Sequence, residues 1–107
     1  MERASRIDML KSMLEKEPKD VFLNFALGLE YANDTETVLL AEQQYKLVLQ
    51  FNEDYIAAYY QLGKLYESTL KQTEALDAYI VGLKKAKEQK NNKAVSEFSE
   101  AIFLLED

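Results

Sequence analysis

Leu27-Gly28-Leu29-Glu30-Tyr31 and Leu62-Gly63-Lys64-Leu65-Tyr66 are one phrase written twice, 35 residues apart. Each copy carries a second echo downstream. Ala41, Tyr45 and Leu49 follow the first, and Ala75, Tyr79 and Leu83 follow the second at a shift of 34. Recurrence over two helical segments at nearly one period marks a stacked helix–turn–helix repeat. Such a unit cannot bury its apolar face alone and needs neighbours, and the surface created by stacking is where function is expected.

The residues of the phrase have packing reasons. Gly28 and Gly63 fall mid-helix, where glycine costs about 0.5–1 kcal/mol relative to alanine. Keeping it twice implies that a second helix approaches too closely for a Cβ. Ala41 and Ala75 are expected as the matching small residues on that helix. Tyr31, Tyr45, Tyr66 and Tyr79 supply large side chains beside the contact.

The 107 residues suit one domain with a modest core. Apolar residues make up 48% and charged ones 30%, and three Gly and one Pro leave few helix breakers. Without Cys there is no disulfide framework, thiolate metal site or thiol nucleophile. Without His the commonest general base and transition-metal ligand is missing. Both absences argue against an enzyme, and no catalytic, metal or cofactor site is expected. The net charge of −6 disfavours nucleic acid. Acids concentrate in residues 21–55, which hold six of them and only Lys46 as a base, while lysines gather at 84, 85, 87, 90 and 93. The polar start Met1-Glu2-Arg3-Ala4-Ser5-Arg6 lacks the apolar core of a signal peptide. No apolar run approaches the roughly 20 residues that span a bilayer. A cytoplasmic protein without membrane contact is the expectation.

Helix one is predicted over 5–17, capped by Ser5, with Ile7, Leu10, Met13 and Leu14 on one stripe. Pro18 ends it. Asp20 caps helix two, about 21–33, and Asp34 caps helix three, about 35–51. Asp54 and Thr73 are the expected caps of helix four (55–69) and helix five (74–90). Asn91-Asn92 breaks the chain before helix six, 93–105, whose Val95, Phe98, Ile102 and Leu105 form one apolar face.

This pattern resembles the tetratricopeptide repeat. The match is fullest in Tyr59-x-x-Leu62-Gly63-x-x-Tyr66 followed by Ala75-x-x-x-Tyr79-x-x-Gly82-Leu83. The first copy has Asn24 at the aromatic position and one extra residue before Ala41, and both copies lack the proline that closes the family's second helix. The resemblance implies an all-α right-handed solenoid fragment of helical hairpins within one domain, 1–107. Residues 5–17 are then the remnant of a truncated repeat, 21–55 and 56–90 two full repeats, and 93–105 a capping helix. Helix six reads like a second helix yet follows one. Either a first helix is missing, or it occupies a first-helix place with altered residues.

In this family the first helices of successive repeats line a concave groove. The resemblance places Phe22, Phe25, Leu29, Tyr60 and Lys64 there, facing a protein or peptide partner. A basic clamp for a C-terminal carboxylate is disfavoured, because Phe25 and Leu29 stand where its Lys and Asn would be. Phe22, Phe25 and Leu29 share a face apart from the Leu27/Tyr31 stripe, so helix two is apolar on two sides. Three readings follow: a groove for a partner's helix or peptide, cover by helix one or six, or a homodimer seam. The lysines from 84 onward read as a solvated face suiting a helix C-terminus. Glu97 and Glu100 read as surface carboxylates.

Overall fold

Six α-helices and one short 3-10 turn organise residues 2–106, the part of the chain that this computed structural model describes. They are α1 (Arg3–Lys16), α2 (Val21–Tyr31), α3 (Val38–Phe51), α4 (Ile56–Ser68), α5 (Gln72–Glu88) and α6 (Asn92–Glu106), with the 3-10 turn at Thr35–Thr37. Residues 1 and 107 of the expected 1–107 domain lie outside the described residues. The chain divides into two compact units, Met1–Glu53 and Asp54–Asp107. The first holds α1 against α2 and α2 against α3. The second holds α4 against α5 and α5 against α6.

In the first unit, Asp20 caps α2 as expected, its Oδ1 accepting from the Leu23 N–H at 2.8 Å. Asn24 is buried, and its Nδ2 donates to the carbonyls of Pro18 (3.0 Å) and Asp20 (2.8 Å). An amide therefore stands at the repeat's aromatic position because it fastens the α1–α2 corner. Helix one begins at Arg3 instead of after Ser5, its N-cap being Glu2 with no side-chain cap bond. Arg6 Nε meets Glu30 Oε1 at 3.1 Å, tying α1 to α2. Met13 leaves the expected stripe and is largely exposed.

The extra residue before Ala41 is absorbed by the 3-10 turn. Asp34 Oδ1 accepts from the Glu36 N–H at 2.9 Å, and the Thr37 hydroxyl donates to the Tyr31 carbonyl at 2.5 Å. Helix three therefore starts at Val38 and not at 35.

The expected small-on-small contact is corrected to small-on-ring. A Cβ on Gly28 would stand 2.6 Å from Tyr45 Cε1, and one on Gly63 would overlap the Tyr79 ring. Tyr45 and Tyr79 are fully buried, so neither ring has room to retreat. Ala41 and Ala75 are also fully buried.

In the second unit α4 and α5 end without glycine. Leu70 and Lys90 take left-handed φ values of 61° and 56°. The Lys71 N–H returns to the Tyr66 carbonyl at 2.8 Å and the Asn91 N–H to that of Ala86 at 3.0 Å, each a six-residue closure that ends a helix sharply. The N-cap positions are Tyr55 and Lys71 and not the expected Asp54 and Thr73, and neither Tyr55 nor Lys71 caps its helix through its side chain. Asp54 pairs with Lys85 at 3.2 Å instead, which gives one of the clustered lysines a structural role. The break falls at Lys90, and Asn91 caps α6, its Oδ1 accepting from the Ala94 N–H at 3.1 Å. Phe98 is buried beside Gly82, and Val95, Ile102 and Leu105 pack around it, as the apolar face of helix six predicts.

Candidate functional site

The second unit carries a concave feature between α4 and α6. α6 follows α5 through the turn closed at Lys90. Ile56 and Ala57 lie opposite Asn91 and Ala94, whereas Lys64 and Glu67 lie opposite Glu100, Ala101 and Leu104. α4 and α6 thus run in the same direction along a cleft.

Two adjoining hollows share Tyr60 and Glu97. The first, of about 250 Å³, is walled by Ile56, Ala57, Gln61, Asn91, Ala94 and Phe98. The second, of about 310 Å³, is walled by Lys64, Glu67, Glu100, Ala101 and Leu104. Tyr60 is braced from below, its ring centroid 5.6 Å from Phe98 edge-on and 5.9 Å from Tyr79. Such pairs contribute about 0.5–1.5 kcal/mol each beyond area burial, so the floor is rigid. Lys64 Nζ stands 5.6 Å from the centre of the Tyr60 ring. The Tyr79 phenol, behind this floor, donates to Glu67. Its pKa is raised, first by burial and then by the Glu67 carboxylate that accepts its proton.

Tyr60 and Lys64 are therefore brought together on one wall. Phe22, Phe25 and Leu29 belong to α2 of the first unit and do not form a uniform face. Phe22 is 69% exposed and Leu29 36%, while Phe25 is partly buried with its ring 5.7 Å from Tyr45. The opposite wall, with Ala94, Glu97, Ala101 and Leu104, was missed by sequence reasoning. Its signal is present: these positions recur at helical spacing beside the Phe98 stripe. A tight turn after α5 also returns the chain in the direction of α4.

The site contains neither His nor Cys, and no group of acidic side chains among the described residues is placed to hold a metal ion. None of the described helices is long and apolar enough to cross a membrane.

No protein-family model matches the chain, and no curated protein does. Solved structures do. A solution NMR structure of a tetratricopeptide repeat domain protein from Salinibacter ruber is 31% identical, with 83% of this chain and 89% of that one covered and a TM-score of 0.77. A crystal structure of a tetratricopeptide repeat domain protein from the same organism is 31% identical over 81% of this chain and 97% of that one, with a TM-score of 0.74. The solution structure of a Bordetella parapertussis protein is 26% identical over 92% and 85%, with a TM-score of 0.80.

Proposed function

This chain belongs to the tetratricopeptide repeat family, and we propose that it is a non-catalytic adaptor holding a helix or extended peptide of a protein partner. The observation that supports this most directly is the α4–α6 cleft, a braced aromatic floor open between two parallel helices. Tyr60 and Lys64 form one wall, and Ala94, Glu97 and Ala101 the other. On α2 of the first unit, Phe22 and Leu29 are a separate exposed apolar pair; Phe25 is a support beneath it, because it packs on Tyr45.

The test uses Ala57→Arg. Ala57 is exposed at the cleft mouth, so a long charged side chain obstructs the cleft without entering the core. Affinity capture from the native cell should recover a partner with the wild type and lose it with Ala57→Arg, at unchanged helical circular dichroism. Recovery of the same partner by both proteins would place binding elsewhere.

Self-association is the second reading, favoured by the exposure of Phe22. It predicts a solution mass that rises with concentration and stays monomeric in Phe22→Asp. A wild-type mass that is constant over the same range removes it.

A further inference from the structure

We infer that the α4–α6 cleft selects a basic partner segment. An apolar side chain of that segment occupies the hollow over Tyr60 and Phe98, and a Lys or Arg two to three residues along sits among Glu67, Glu97 and Glu100. This rests on the reading of the cleft as the partner's seat and adds the chemistry of the occupant.

The argument is one of charge and spacing. The first hollow is walled mainly by apolar groups, Ile56, Ala57, Ala94 and Phe98. The second has three carboxylates against the single ammonium of Lys64. Glu97 and Glu100 are exposed and have no ion-pair partner among the described residues. Glu67 is held in place by the Tyr79 phenol, a neutral donor that leaves its charge uncancelled. The last turns of α4 and α6 both lie at this end, since Glu67 precedes Ser68 and Leu104 precedes Glu106. Two parallel helix C-termini add negative potential of the same sign as the carboxylates. An acidic segment is repelled there, and a basic one is drawn in.

The helical rise separates the two hollows by roughly 8 Å, which an extended chain at about 3.3 Å per residue covers in two to three residues. Lys64 sits over the ring between them. It acts as a tethered cation that the incoming base displaces.

The experiment is a selection of random twelve-residue peptides on the folded full-length chain. The enriched peptides are synthesised with blocked ends and titrated against wild type, Glu97→Gln/Glu100→Gln, Lys64→Ala and Ala57→Arg. Glutamine keeps helix propensity at exposed positions, so the double variant retains its fold. The expected peptides carry Lys or Arg two to three positions from Leu, Ile or Phe. The double variant should bind them on the order of tenfold more weakly, equivalent to about 1.4 kcal/mol, and Lys64→Ala more tightly than wild type. If the enriched peptides are acidic or uncharged yet lost with Ala57→Arg, the basic specificity is overturned and the cleft remains the seat. If they ignore Ala57→Arg, the cleft itself is overturned. Failure to enrich any peptide overturns both.

Discussion

Tyr45 and Tyr79 hold equivalent positions in the two hairpins, each filling the space left by a glycine, and their phenols end differently. Tyr79 donates to Glu67, four residues beyond Gly63. The place four residues beyond Gly28 is Ala32, and the buried Tyr45 hydroxyl has no partner among the described residues. A buried hydroxyl without a partner is a cost, whereas a bond to a carboxylate contributes about 1.5–3 kcal/mol. Tyr79→Phe should therefore lower the urea midpoint, and Tyr45→Phe should leave it unchanged or raise it. Alkali separates the same residues. Burial pushes Tyr45 up from 10.0 to about 12, and burial together with the Glu67 carboxylate raises Tyr79. A pKa raised by folding contributes stability that is complete below pH 10 and is lost as pH climbs through the folded value. Ultraviolet titration of the seven tyrosines should show a late fraction whose ionisation coincides with loss of helix, and a smaller one in Tyr45→Phe.

At the scale of elements, sequence reading succeeds where the chain carries a chemical marker and fails where geometry acts without one. Asp20 is a side-chain cap beside a proline, and α2 starts where those residues place it. The Leu-Gly-x-x-Tyr phrase locates α2 and α4 because only a close neighbour explains a mid-helix glycine. The ends of α4 and α5 carry no such marker, since a leucine and a lysine take the left-handed position normally given to glycine. Expected ends at 69 and 90 thus ran past the observed Ser68 and Glu88. Half of the cleft was illegible for a related reason: α6 lacks the repeated phrase, and its place emerges only from the turn before it. Leu70 is 92% exposed and loses little packing on substitution. Leu70→Gly and Lys90→Gly should each stabilise the protein by up to about 1 kcal/mol, read as a higher melting temperature. A drop for Leu70→Gly would mean that its side chain contributes more than its backbone strain removes.

At the scale of the whole molecule, the two units surround the same hairpin with a third helix placed differently. α1 precedes α2–α3 in the first, and α6 follows α4–α5 in the second. The second pairs the parallel helices α4 and α6 along a cleft. The net charge of −6 gives a long-range attraction for a basic segment that salt screens over about 8–10 Å at physiological ionic strength. Association with such a segment should slow as salt rises from low to physiological levels, while dissociation changes less; stopped-flow measurements would separate the two rates. The α2–α3 corner has a further consequence. Gly28 meets Tyr45 across 17 residues and Gly63 meets Tyr79 across 16, so the interlocked pair sets the alignment of the helices and the corner merely spans it. That corner is accordingly the place to graft foreign sequence. A flexible tether carrying a fluorophore, spliced in between Asn33 and Thr35, should leave the melting temperature nearly unchanged. The same splice at Thr69–Lys71, where the backbone closure is tight, should lower it by several degrees.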